Sequence, residues 1–346
     1  MEVNKPTNRD LAAFPEEYMT LAQAAQVADQ VAQGQVLADY RLGKEPNTIR
    51  RQRGDLACFE AFLKEAGAPI TYMAEELALW APISPGLVKA FVRWQIKKNY
   101  RIDTINVRLS TVKTYIRLAA AAGHIPVERA QLIVSIREIT HKEGRNIDAE
   151  REQTGVGAKK AAPTPVSPVH VAAIKQQLLE QTVRGDTLAS RDLLLFVLAA
   201  EHSLRCSELA LLKRENLDLE AGMLRIYRKK TDRWQRHQLT PSALIAARWY
   251  LQLCAIETWL FPGEKPGTGL ATRSIYDRIV AAGKLVGLTN LGPHDLRHYY
   301  ATYSKGDVGA LQQAGGWSSP AMPLRYRVEQ EIANRGVLVP GQPGWE

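Results

Sequence analysis

Arg205, Lys230, the pair His294-x-x-Arg297, Trp317 and Tyr326 follow one another along the second half of the chain. These are residue types that can move a phosphodiester onto a phenol. The transfer loads negative charge on the nonbridging oxygens, and without a metal that charge must meet preplaced cationic donors. Arg205 and Arg297 suit this because each guanidinium is a planar, permanently charged fork that pairs with two oxygens. A tyrosine is a weak nucleophile at neutral pH, so Tyr326 needs a base such as His294 and stabilisation by both arginines.

Each residue also has a plainer reading. Arg205, in Ser203-Leu204-Arg205-Cys206-Ser207-Glu208, is either a phosphate ligand braced by Glu208 or a surface arginine paired with it. His294 and Arg297 stand one helical turn apart on one face, which serves a shared phosphate or an ordinary surface pair. His298 points about 100° around the helix from Arg297 and reads as structural. Trp317 offers an indole N–H and an apolar face, and Tyr326 a hydroxyl; both types more often pack in cores. Lys230 lies among Arg225, Arg228, Lys229, Arg233 and Arg236 with the single acid Asp232. That turn is either a solvated charged tip or a hairpin that brings Lys230 to a nucleic-acid groove as a proton donor to a leaving oxygen.

The elements that must position these residues read as mainly α with a small β-sheet. Thr20 opens a helix that Gly34 ends. Helices follow over about 47–65, from Ser84-Pro85 to Lys98, and from about Asp103 to Gly123,. Their apolar sides leave Arg50, Arg51, Arg53, Arg108, Lys113 and Arg117 on other faces, so the first half reads as a helical bundle with basic surfaces. From His141 to Pro168 glycines and prolines break the pattern, the signature of a linker. Beyond it, helices are expected over 169–179, 189–212, from Pro241-Ser242, and over 271–286, 293–304, 307–314 and 323 to about 333. Strands are expected at 223–227 and 235–239.

A length of 346 residues favours two domains, and the 45 Lys and Arg against 36 Asp and Glu give +9, which suits a polyanionic partner,. Cys58, Cys206 and Cys254 are too far apart for a disulfide framework or a zinc site. Neither an export signal nor a membrane span is expected.

Taken together, the ordered set resembles the tyrosine recombinase family, also called phage integrases; the nine residues from Trp317 to Tyr326 fit it, and Gly315-Gly316-Trp317 is Cre-like. The resemblance implies a two-domain DNA clamp, with an N-terminal extension over 1–33, a helical core-binding domain over 34–145, a linker over 146–168 and a catalytic domain over 169–346. It implies a site-specific recombinase in which Tyr326 forms a 3′-phosphotyrosyl link, Arg205, Arg297 and Trp317 hold the phosphate, Lys230 protonates the leaving oxygen, His294 assists and Glu208 supports. No cofactor, ATP or metal is implied. The partner would be duplex DNA with specific target sites, bound by a homotetramer on two sites through a Holliday junction, with a monomer or dimer off DNA. Arg50, Arg51, Arg53, Arg108, Lys113, Arg117, Arg228, Lys229 and Arg233 are the expected DNA contacts, and the setting is cytoplasmic and nucleoid-associated. A type IB topoisomerase and a catalytically silent DNA-binding regulator are the alternatives. Pro323, three residues before the nucleophile, departs from the family pattern; it fits a helix starting there and would kink one starting earlier.

Overall fold

A computed structural model describes residues 20–149 and 164–327. The chain divides into two compact units, 1–159 and 160–346. In the first, α1 (Leu21–Leu42), α2 (Pro46–Glu65), a 3-10 turn at Leu77–Trp80, α3 (Pro85–Lys97), α4 (Ile102–Ala121), α5 (Val127–Val134) and α6 (His141–Ala149) follow in order. Ser84 caps α3 by accepting from the Leu87 amide, and Pro85 supplies its first residue,. The core gathers Phe59, Phe91, Trp80 and Tyr115: Phe59 meets Phe91 edge-on at 4.9 Å and stacks on Trp80 at 5.7 Å,.

Two expectations fail here. α1 runs through Gly34 and stops at Gly43, because an exposed helical glycine weakens a helix without ending it,. The segment from His141, read as linker, opens with α6, whose Glu143 accepts from the Thr140 amide and hydroxyl. Gly144 is its one buried residue and lies against Ile102, so α6 carries no apolar period to find.

The second unit contains α7 (Pro168–Val183), α8 (Thr187–Glu201), α9 (Cys206–Leu209), β1 (Leu217–Asp218), β2 (Met223–Arg228), β3 (Arg233–Gln238), α10 (Pro241–Leu253), α11 (Thr272–Lys284), α12 (Pro293–Tyr303), α13 (Val308–Gly315) and α14 (Ala321–Arg327). The strands form one antiparallel sheet in the order β1-β2-β3. The architecture is mainly α with a small sheet, as expected. Every residue from Leu193 to Ala200 is buried, so α8 is the central helix, packed by α7, α10, α11 and α12,. No helix among the described residues is long and apolar enough to cross a membrane.

The single helix expected over 189–212 is two. α8 ends at Glu201, and Ser203 turns the chain with φ 54° before α9 begins. This break puts Arg205 at the N-cap of α9 rather than on a helix face.

Candidate active site

Arg205 takes its geometry from Glu208. The Arg205 backbone N–H donates to Glu208 Oε2 at 2.8 Å while its Nη1 donates to Oε1 at 2.8 Å, so one buried carboxylate fixes both ends of the residue. A further donor, Nη2, reaches the Gly316 carbonyl at 3.1 Å. The neighbouring Cys206 thiol is pushed up to about 11 by burial and offers no competing nucleophile at neutral pH,.

On α12, Pro293 supplies the first residue, and Asp295 accepts from the Gly292 amide at 2.7 Å and from the Thr164 amide at 3.0 Å. The helix entry is thereby pinned. Arg297 is 3% exposed. Its Nη1 donates to the Ser203 carbonyl and to Ser203 Oγ, and its Nη2 donates to the Gly315 carbonyl at 2.9 Å. The guanidinium also lies over the Trp317 ring, 4.9 Å from its centroid,. His294 is exposed, and the His298 ring meets it edge-on at 4.7 Å. His298, expected to be structural from its angle to Arg297, is an i, i+4 neighbour of His294 on the same face.

Three consecutive carbonyls at the end of α13 each accept from a different arginine: Ala314 from Arg228, Gly315 from Arg297 and Gly316 from Arg205. The C-terminal end of a helix presents unsatisfied carbonyls and partial negative charge, which suits cationic donors. Both glycines are required here. A Cβ on Gly315 would lie 1.9 Å from the Trp317 ring, and Gly316, at φ 60°, would bring one to 2.8 Å from Arg228 Nε. Gly315→Ala is therefore expected to lower stability by about 1–3 kcal/mol through overpacking. Gly34→Ala, in open space on α1, is expected to raise it by about 0.5–1 kcal/mol,. Thermal melts of the two variants check the pair, and equal midpoints would refute the assignment of Gly315 to a packing role.

Arg228 corrects an expectation. Placed among the DNA contacts by its basic surroundings, it is 0% exposed and cannot reach a nucleic acid. Strand parity is the reason: Leu224, Ile226 and Arg228 share the inward face of β2,. Burial pushes its pKa down, and Glu208 opposes that shift. Lys229, Lys230 and Arg233 do stand on the exposed hairpin end. Lys230 makes no hydrogen bond or ion pair with the described residues and is not joined to the arginine cluster. In the first unit Arg50 donates to Asn47, Arg51 pairs with Asp55, Arg53 pairs with Glu75 at 3.2 Å, and Arg108 lies over the Tyr100 ring at 4.2 Å. Lys113 is half-buried and Arg117 exposed.

Trp317, 6% exposed, follows α13 directly. Tyr326 belongs to α14, which packs on α12 and α13; its side chain lies outside the described residues, as does the expected continuation to about Ala333. Pro323 is the third residue of α14, in the first turn, where an amide has no intrahelical acceptor to lose,. It therefore does not interrupt the helix before Tyr326. Among the described residues no group of three or more His, Cys, Asp or Glu could hold a metal ion.

Residues 173–331 match the family model described as the phage integrase family. The match lies wholly within the second unit. The chain is 34% identical over 152 residues to tyrosine recombinase XerC of Pseudomonas fluorescens Pf-5, covering 41% of this chain and 49% of the relative. With XerC of Pseudomonas fluorescens Pf0-1 it shares 27% identity over 261 residues, 70% of this chain and 85% of the relative. The chain spans about half the length of the first of these curated relatives. The fold is similar to that of the Tn1549 transposon integrase in complex with transposon right end DNA, with TM-score 0.58, 14% identity and coverage of 85% of this chain and 94% of the other. It is also similar to a lambda integrase tetramer bound to a Holliday junction, with TM-score 0.54, 15% identity and coverage of 90% and 85%.

Proposed function

We propose that this protein is a tyrosine recombinase, a site-specific enzyme that cuts and rejoins duplex DNA through a 3′-phosphotyrosyl intermediate. The observation that carries the reading is the convergence of Arg205 and Arg297, from separate elements, on consecutive carbonyls one short step before the helix of Tyr326. In the reaction, two nonbridging oxygens replace those carbonyls as acceptors, and Trp317 adds its indole N–H. The Tyr326 oxygen attacks phosphorus and its proton passes to His294. The bond to the 5′ oxygen breaks, and that oxygen takes a proton from Lys230, leaving a free 5′-hydroxyl and a tyrosyl phosphodiester. A 5′-hydroxyl from a second strand then attacks and gives its proton to Lys230, the phosphotyrosyl bond breaks, and Tyr326 takes its proton back from His294. The number of phosphodiester bonds is conserved, so no nucleotide hydrolysis is needed.

The substrate is double-stranded DNA, gripped by the catalytic domain and by a core-binding domain over 34–145 with its exposed Arg50, Arg51, Arg53 and Arg117 and half-buried Arg108 and Lys113. The likeness to a lambda integrase tetramer on a Holliday junction supports exchange by four protomers on two sites. The compartment follows from the substrate: the cytoplasm, on the nucleoid.

The test is covalent capture. A pool of nicked duplexes with a randomised core is incubated with the protein and resolved under denaturing conditions. Wild type is expected to yield an adduct whose captured DNA shares one sequence, and Tyr326→Phe to yield none. DNA binding with no adduct from any duplex would leave a catalytically silent regulator, and adducts without a shared sequence would leave a topoisomerase.

A further inference from the structure

Arg228 is a fully buried cation that the proposed chemistry does not use. Its Nη1 donates to Glu208 Oε2 at 2.6 Å, its Nε to Gln235 Oε1 at 2.8 Å and its Nη2 to the Ala314 carbonyl, with His237 Nε2 3.4 Å from Nη2. Stability does not account for such an arrangement, since buried ion pairs often contribute no more than well-packed apolar groups of the same volume. What singles out this pair is the second cation on the same carboxylate. Glu208 gives Oε1 to the Arg205 guanidinium and Oε2 to Arg228.

Resting on the recombinase reading, we propose that Arg228 is a positioning residue: it holds Glu208 away from full bidentate pairing with Arg205, and so keeps Arg205 a competent phosphate ligand. A carboxylate and a guanidinium left to themselves form a fork of two parallel hydrogen bonds. If Glu208 closed that fork, it would cancel the Arg205 charge and occupy both terminal nitrogens. Arg228 prevents this by claiming one oxygen. The group of Arg205, Glu208 and Arg228 then keeps a net charge of +1, and Nη2 of Arg205 stays directed at the Gly316 carbonyl, the acceptor that a phosphate oxygen replaces. Arg228 also retains the Ala314 carbonyl, which anchors the end of α13 when Arg205 and Arg297 turn from carbonyls to phosphate.

The experiment compares Arg228→Met, Arg228→Lys and the double variant Arg228→Met with Glu208→Gln. Single-turnover cleavage at saturating DNA is measured on a nicked duplex captured by wild type, beside DNA affinity and the melting temperature. Arg228→Met is expected to cleave about 100-fold more slowly, the loss typical of a misplaced oxyanion donor, with affinity changed by less than about threefold. Glu208→Gln in that background is expected to restore about tenfold, because a neutral amide cannot quench Arg205. Arg228→Lys, which keeps the charge but not the fork, is expected to fall between. Cleavage by Arg228→Met within about twofold of wild type would overturn the proposal, as would a loss that Glu208→Gln leaves unrecovered, the signature of a merely structural arginine. If Arg228→Met does not fold, the double variant, which buries no charge at either position, and Arg228→Lys decide the matter by the same rates. Failure of wild type to form any adduct would instead overturn the recombinase reading and this inference with it.

Discussion

Arg297→Ala is expected to slow single-turnover cleavage by at least about 10³-fold, the scale of removing an arginine that stabilises a phosphoryl-transfer transition state. It should also lower the stability of the free protein. The side chain satisfies the carbonyl and hydroxyl of Ser203 and the carbonyl of Gly315, all at a buried position. Leaving buried acceptors unpaired costs about 1–3 kcal/mol for the first group and less where water enters the vacated space, so a total of about 2–4 kcal/mol is expected in urea denaturation. Lysine should not restore cleavage, because one ammonium cannot present the planar fork to two oxygens. The two losses separate by assay: cleavage is measured where both proteins are fully folded. A variant that melts early yet cleaves at the wild-type rate would reduce Arg297 to a packing residue.

Acidification from pH 7 to pH 5 is expected to destabilise the protein by on the order of 4 kcal/mol through two histidines. Burial pushes His202 down to about 4, against an opposing contribution from Glu201, and Arg228 adds to the depression. His237, 5.7 Å away ring to ring, is pushed down to about 3 by burial, then by Arg228 and His202. Both are neutral in the folded state and titrate near 6.5 when unfolded. Below that value the unfolded chain binds more protons, so the stability present above pH 6.5 is lost as the pH falls toward the folded values. Each histidine contributes up to about 1.4 kcal/mol per pH unit across that window. Urea midpoints at the two pH values measure it, and His202→Gln should flatten the profile. A midpoint unchanged between pH 7 and pH 5 would refute the account.

The residue types and their order made the candidate site legible before any coordinates, since Arg205, His294-x-x-Arg297 and Trp317 are recognisable along the chain. How they are held was less so. The turn that frees Arg205 was hidden because apolar residues continue past Glu201 at Leu204, Leu209 and Leu212, while the interruption depends on the backbone of Ser203 alone. Arg228 falls one residue past the expected strand 223–227, so its parity with Leu224 and Ile226 went unused, and a cation in a basic run reads as surface. α6 was missed because it packs through a glycine. Helices α2, α3 and α4, by contrast, announced themselves through caps such as Ser84-Pro85 and through regular apolar spacing.

The run of main-chain oxygens from Ala314 to Gly316 has an evolutionary corollary. A peptide oxygen is present whatever residue is encoded, so no codon change can erase that side of the latch. Variation that retunes it must come from the guanidinium side or from adding bulk to the two glycines. A deep mutational scan selected for altered cleavage should therefore concentrate its hits at Arg205, Arg228, Arg297, Gly315 and Gly316 and leave Ala314 comparatively tolerant.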